Sequence, residues 1–359
     1  MKRAALLALL PLVFATSAHA DRWVLTGASS IPTTYWQGLT TDPAKKHVFF
    51  VGVFVGLWRT TPSLRQTAGV DNAIPADVTA SRGYNHIGDP TWNPGDGGRV
   101  LLPMECYTPG VGNTCGTGSF GVADPKTLAW RYYVPLDPAE IPKAMWAETS
   151  PDGKLVWTSS GNDLLAYRSS GIAPGHAPLH AAKRLRNAVP PSGITGAVFS
   201  GGRLLLAGTD DSGRDQIWSV DTKTGKRRLE VEQKFCGESE GLDTISMLGG
   251  TLHWLVGPDG GGCELTYGPT SALLHFVATP GKPGLRVSAS AHGSTVKVRV
   301  TRKGAPVSRA RVSFASAHGR TNARGRATLH AKLVLPGRFK ALARAGGRYG
   351  VSKLLEIGL

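Results

Sequence analysis

One phrase occurs five times between Tyr35 and Gly261: a short apolar strand, a turn rich in Pro, Gly and Asp, then a second apolar strand. The turns are Asp42-Pro43, Asn93-Pro94-Gly95, Ser150-Pro151-Asp152-Gly153, Ser200-Gly201-Gly202 and Leu248-Gly249-Gly250. A recurrence of about 50 residues matches one four-stranded propeller blade. The expected fold is therefore all-β, a β-propeller over 21–279. Five blades are preferred, because a sixth would have to hide in the short stretch 63–83. Inner strands of a propeller surround one channel, so chemistry is sought where those strands begin.

The second strands are Val48-Phe49-Phe50-Val51, Val100-Leu101-Leu102, Leu155-Val156-Trp157, Leu204-Leu205-Leu206 and Leu252-His253-Trp254-Leu255. Continuous apolar runs of this kind suit strands buried on both faces. Third strands follow near 119–123, 164–167 and 216–220, and outer strands near 130–134 and 228–231. The last unit has no evident outer strand of its own; 22–25 is placed to supply it and close the ring. Asp124-Pro125-Lys126-Thr127 and Asp221-Thr222-Lys223-Thr224 read as turns whose side chains bond their own backbone.

Lys2 and Arg3, an apolar run over 4–15 and Ala18-His19-Ala20 read as a secretory signal over 1–20. Export to the extracellular space or cell envelope is expected. No later segment reaches the ~20 apolar residues of a membrane span. In an oxidising compartment the four cysteines read as two disulfides. Pairing Cys106 with Cys115 and Cys236 with Cys263 staples single blades, while the other two connectivities join different blades. No C-x-x-C pair favours thiolate zinc.

The charge is divided unevenly. The chain has 41 Lys+Arg against 25 Asp+Glu, and the segment from Lys282 onward holds 17 basic residues and one acid, Glu356. The propeller region is thus neutral and the tail carries the whole excess. After a Pro-Gly-Lys-Pro-Gly linker at 280–284, Val296, Val298 and Val300 alternate with Lys297 and Arg299. Ala310, Val312 and Phe314 alternate with Arg309 and Arg311. This pattern predicts a small antiparallel β-sandwich over 285–359 with a basic outer face. Lys303-Gly304-Ala305-Pro306-Val307, Thr321-Asn322-Ala323-Arg324-Gly325-Arg326-Ala327-Thr328-Leu329 and Pro336-Gly337-Arg338-Phe339 resemble bacterial immunoglobulin-like and carboxypeptidase-regulatory-like modules. That resemblance implies attachment or spacing. An anionic envelope polymer is the partner expected for the basic face; sparse aromatics argue against specific nucleic-acid binding.

Candidate site residues cluster near inner-strand starts: Asn85-His86-Ile87-Gly88-Asp89, Trp146-Ala147-Glu148 and Glu238-Ser239-Glu240-Gly241-Leu242-Asp243. Alignment on the turns puts His86 level with Glu240, and Asp89 level with Asp243. Asp89, Glu148, Glu240 and Asp243 are the candidate ligands of a divalent cation, Ca²⁺, which takes six to eight oxygens. His86 is the candidate acid–base group. Trp36, Trp92 and Trp146 stand near the channel; Trp36 and Trp146 are the candidate contacts for a polar small molecule or glycan. The rival reading makes the acids clamps on backbone N–H groups of neighbouring blades, fixes Glu105 beside Cys106, and makes the Trp residues core packing. There is no H-E-x-x-H and no P-loop.

The repeat with its Glu-Gly-Leu-Asp entry resembles secreted propellers of the gluconolactonase and strictosidine synthase-like group. The resemblance implies a channel cation held by carboxylate and amide side chains, and hydrolysis of a lactone or ester. Five-bladed sugar-acting and sugar-binding propellers are a second analogy. The alternative function is a non-enzymatic binding or scaffold propeller anchored to the envelope by its basic tail.

Overall fold

The five phrases fold as five antiparallel sheets. The computed structural model describes residues 22–52, 55–175, 177–235, 237–258, 270–333 and 335–357. The proposed signal over 1–20 lies outside them, as do Cys236 and Cys263. The first blade runs Gly38–Thr41, Val48–Val51, Leu57–Thr60 and Gln66–Val70 from channel to rim. The second runs Thr91–Asn93, Arg99–Glu105, Ser119–Ala123 and Trp130–Pro135, with His86–Ile87 also pairing on Arg99–Glu105. The third is Glu148–Thr149, Leu155–Ser160, Asp163–Arg168 and Lys183–Leu185, and the fourth Ser192–Ser200, Arg203–Asp210, Asp215–Val220 and Arg227–Gln233. The fifth contains Ser239–Asp243, Leu252–Val256 and Ser271–Thr279, and Arg22–Ile31 completes it by antiparallel pairing with Ser271–Thr279. The stretch 63–83 holds the first blade's outer strand and the helix Ala76–Arg82, so it hides no sixth blade.

Alternation within each apolar run explains the ring. Val100 and Leu102 face the first blade, packing with Phe49, Val51 and Leu57, while Leu101 faces the third with Val156, Leu165 and Tyr167. Leu204 and Leu206 join Trp157 and Leu164, while Leu205 joins Trp254 and Phe276. Leu255 and Leu273 meet Val48, Phe50 and Trp58 to close the circle. Every blade thus buries both faces, which is why these strands are apolar without interruption. The Asp124 and Asp221 carboxylates accept the N–H groups two and three residues ahead, as the turn chemistry predicts. A Cys106–Cys115 disulfide staples the second blade.

The basic tail forms two packed sheets. One contains Arg286–His292, Thr295–Arg302, Ala305–Pro306 and Arg326–His330; the other contains Lys282–Pro283, Arg348–Val351, Leu342–Ala345, Arg311–Phe314 and Ala317–Arg320. Val296, Val298, Val300, Val312 and Phe314 fill the space between them. Two tail strands leave this pair of sheets: Gly337–Phe339 adds to Arg22–Ile31, and Leu355–Ile357 adds to Gly337–Phe339. The fifth blade therefore continues outward to six strands, which covers an edge that would otherwise expose its ladder groups. Phe339 stacks on His275 at 5.8 Å and occupies the space a side chain at position 27 would need, which is why Gly27 lies there. His275 in turn bonds Ser29 Oγ and His253 Nδ1, both at 2.9 Å.

Candidate functional site

One buried side chain bonds to strands of the other blades where they meet. Asp89 is fully buried. Its Oδ1 accepts the Leu39 N–H at 2.9 Å, and its Oδ2 accepts those of Ala197 at 3.0 Å and Leu242 at 3.4 Å. Its carbonyl accepts the Ala147 N–H at 3.0 Å, and its own N–H donates to Met145 O at 3.0 Å. A single residue of the second blade thus ties the other four together. Gly38, Gly196 and Gly241 immediately precede three of these donors, and Cβ atoms at Gly38 and Gly241 would collide with Asp89. The inner strands can approach only because those side chains are missing. Burial pushes the Asp89 carboxyl well above its usual range, against the pull of its three N–H donors.

This hub corrects the sequence alignment. Gly241, rather than Asp243, lies level with Asp89, a slip of two residues, or about 6–7 Å along a strand. Glu240 and Asp243 therefore fall on opposite sides of this hub, since Gly241 touches Asp89 and the Leu242 N–H binds it. The expected carboxylates divide between two faces. Among the described residues the four do not supply three ligand atoms close enough for one metal; only Asp137, Glu140 and His180, at the rim, do so. Asp89 has both oxygens committed to N–H donors, and the Lys45 ammonium acts on Asp243. This donor set does not fit Ca²⁺, which needs six to eight oxygens in one shell.

On the face where the inner strands begin, Trp36 Nε1 donates to Glu240 Oε1 at 3.0 Å. Burial and the neighbouring Glu238 raise the Glu240 carboxyl well above its ordinary value. His86 Nδ1 lies 2.9 Å from Glu105 Oε1, and Lys143 Nζ lies 3.8 Å from Oε2. Neither approach has hydrogen-bond geometry, so His86 Nδ1 and Glu105 Oε2 are buried close to opposite charge without a hydrogen bond. Trp146 does not face the channel: it is fully buried between the third and fourth blades, with Nε1 bonded to Ser159 Oγ at 2.9 Å. Trp146 therefore packs the core rather than meeting a ligand in the channel, contrary to the sequence expectation. The run Gly237-Glu238-Ser239-Glu240-Gly241 has the spelling of a nucleophile elbow. Ser239, however, is buried within an inner strand, where its Oγ accepts the Trp254 Nε1–H at 3.1 Å.

The opposite face, where the inner strands end, holds a cavity of about 540 Å³. All five blades contribute to it. Thr41 and Lys45 come from the first, Thr91 and Trp92 from the second, Glu148 and Thr149 from the third, Phe199 from the fourth, and Asp243 from the fifth. Glu148 Oε2 accepts the Thr91 hydroxyl at 3.0 Å and Oε1 accepts the Phe199 N–H at 2.9 Å. Asp243 is only 5% exposed, and its Oδ2 has no hydrogen-bond partner. The Lys45 ammonium donates to Thr41 Oγ1 and to Thr244 O, the latter at 2.8 Å. Lys45 itself takes φ 53°, a left-handed conformation uncommon outside glycine.

Burial, then the adjacent Asp243 charge, pushes the Glu148 carboxyl up to about 8. Burial also raises Asp243, opposed by Lys45 and the Thr244 and Thr41 donors. The site therefore sets a protonated carboxyl beside one whose ionised form has a cation next to it. Lys45 and the threonines escaped sequence reasoning, since a loop Lys and strand Thr residues carry no distinctive spelling. One signal was present: Gly38-Leu39, Gly196-Ala197 and Gly241-Leu242 repeat a glycine followed by the residue whose N–H meets Asp89.

No family model matches the chain, and no curated protein matches it. Solved structures of similar shape include a luciferin-regenerating enzyme, 11% identical with a TM-score of 0.46 over 70% of this chain and 95% of that one. A GH43 β-1,3-galactosidase with galactodeoxynojirimycin is 11% identical with a TM-score of 0.47, covering 72% of this chain and 95% of that one. An engineered GH43 hydrolase with endo-xylanase and exo-arabinofuranosidase activity is 9% identical with a TM-score of 0.45, covering 88% and 79%. At this distance the likenesses carry no argument about chemistry.

Proposed function

We propose that the exit-face cavity binds a neutral polyhydroxylated small molecule, a sugar or sugar lactone, and that Glu148 and Asp243 act on it as proton donor and acceptor. The observation that carries this reading is the pair of buried carboxyls, Glu148 and Asp243, on the cavity floor, where Asp243 has Thr41 and Thr244 as donors but Oδ2 lacks a partner of good hydrogen-bond geometry. A buried carboxylate oxygen left unpaired costs free energy, and a ligand hydroxyl or water removes that cost. Threonine hydroxyls from three blades supply further polar contacts, and Trp92 offers an apolar ring face.

Asp243 and Glu148 share one proton, because their charges repel in a low-dielectric site. Lys45 favours the ionised form of Asp243, so the proton resides on Glu148. In hydrolysis of a lactone, Asp243 takes a proton from water as its oxygen adds to the carbonyl carbon. The ring C–O bond then breaks and Glu148 protonates the departing oxygen. This reading needs no divalent cation. It retains hydrolysis from the gluconolactonase-like resemblance, while the five blades depart from that group's six.

The test is calorimetric binding and turnover over a panel of sugar lactones and 4-nitrophenyl glycosides. Glu148→Gln is expected to preserve binding and lower kcat at least 100-fold, within the range for a general acid. Asp243→Ala is expected to weaken binding as well. A panel in which no member binds, or in which both variants bind and turn over like the native chain, overturns the proposal.

A further inference from the structure

A cavity of about 900 Å³ lies elsewhere, between the Leu248-Gly249-Gly250 hairpin of the fifth blade and one sheet of the basic tail. Strand register places three arginines side by side across its wall. Arg311 pairs directly with Arg320 on one side and with Arg344 on the other. Ser313 and His318 form the next rung on the same face, since side chains two apart on a strand point the same way. Val312 and Phe314, which alternate with them, fill the tail's own core.

Like charges directly opposite on neighbouring strands destabilise a sheet. Here the row contains three guanidinium groups, and among the described residues no Asp or Glu lines the cavity. The tail's single acid, Glu356, is 3.7 Å from Arg338 instead. Arg344 Nη2 is fixed by Thr279 Oγ1 at 3.1 Å, at the end of the fifth blade. Arg311 and Arg320 are exposed and have no ion-pair partner among the described residues. Guanidinium groups bind planar or tetrahedral oxyanions through paired N–H bonds. Repulsion along the row is relieved when such an anion enters.

We infer that this junction cavity is a binding site for a compact multivalent oxyanion, bearing phosphoryl or carboxylate groups, that bridges Arg311, Arg320 and Arg344. The ligand contacts both the ring and the tail, so its binding stabilises their junction. The site is independent of the exit-face cavity and stands or falls separately from it.

The experiment titrates the chain from Asp21 onward with inorganic pyrophosphate and, in a second arm, with tricarballylate, by calorimetry and thermal melting. Saturable one-to-one binding of either, with a rise in melting temperature, is expected; the arm that binds identifies the anion class. Arg311→Gln with Arg320→Gln is expected to weaken binding at least about tenfold, the scale of one lost charge-assisted contact. Lys297→Gln with Arg299→Gln removes equal charge from the other tail sheet and is expected to leave binding unchanged. Absence of saturable binding in both arms, or equal weakening by the two double variants, overturns the inference. A melt of each variant without anion verifies that it is folded.

Discussion

Replacing Asp89 by Ala should damage this protein more than any other single exchange of a surface or channel polar residue. The carboxylate accepts three buried N–H groups, from Leu39, Ala197 and Leu242. Each orphaned donor costs about 1–3 kcal/mol, giving about 3–9 kcal/mol for the set. Whole domains are stable by only about 5–15 kcal/mol, so the variant sits near the limit of folding. Asp89→Asn keeps one acceptor oxygen and turns an NH₂ group toward the remaining donors, so it should fall between native and Ala. Urea unfolding followed by Trp fluorescence measures the difference, with exposed Asp152→Ala as the control. If Asp89→Ala costs under about 1 kcal/mol, the N–H groups find other partners and the hub argument fails. Gly241→Ala provides an independent check, because its Cβ would enter the Asp89 carboxylate. That variant should be destabilised even though every hydrogen-bonding group is retained.

Three further outcomes are expected. The Glu148 carboxyl is raised to about 8 in the folded state from an unfolded value of 4.5. Its contribution to stability is therefore full below pH 4.5 and is lost as pH rises toward 8. The difference in melting temperature between native and Glu148→Gln should shift in the variant's favour across that window; a constant difference refutes the assignment. The Cys106–Cys115 bridge spans nine residues, for which loop closure gives about 2–3 kcal/mol, measurable as the loss on exchanging both cysteines for Ala. Phe339 is buried against His275 and Phe314 where the tail joins the fifth blade, so Phe339→Ala should cost about 3–5 kcal/mol. Independent melting of tail and ring with no loss in Phe339→Ala would show that this junction does not couple them.

The local architecture was legible because blade strands are apolar on both faces and their turns use a small set of residues. That pattern located the second, third and outer strands, the ring-closing segment near the N-terminus and the alternation of the basic tail. The site was legible only in part. The acids were sought near inner-strand starts; Glu148 and Glu240 lie there, Asp89 lies just ahead of its inner strand and Asp243 ends its own, and the rival reading of a backbone clamp describes Asp89. Their assignment to one ring failed because alignment on hairpin turns cannot see two one-residue irregularities, one between Ser239 and Leu242 and one between Ile87 and Thr91. A shift of two residues restores the same side-chain parity, so the apolar pattern gives no warning. Trp146 failed for a related reason: a tryptophan beside a channel and one between two blades have the same neighbours in sequence.

The chain by itself determined the recurrence of its strands, the sites of its turns and the segregation of positive charge, and it favoured five blades and a local disulfide. Each of these follows from short-range chemistry: turn residues, strand periodicity and sequence spacing. Tertiary structure decided what converges. It brought the N–H groups of Leu39, Ala147, Ala197 and Leu242 onto Asp89, sent Glu240 and Asp243 to opposite ends of the channel, and paired Gly337–Phe339 with the first strand. These outcomes depend on the relative height of strands from different blades, a quantity fixed by packing around the axis and written in no single stretch of the chain.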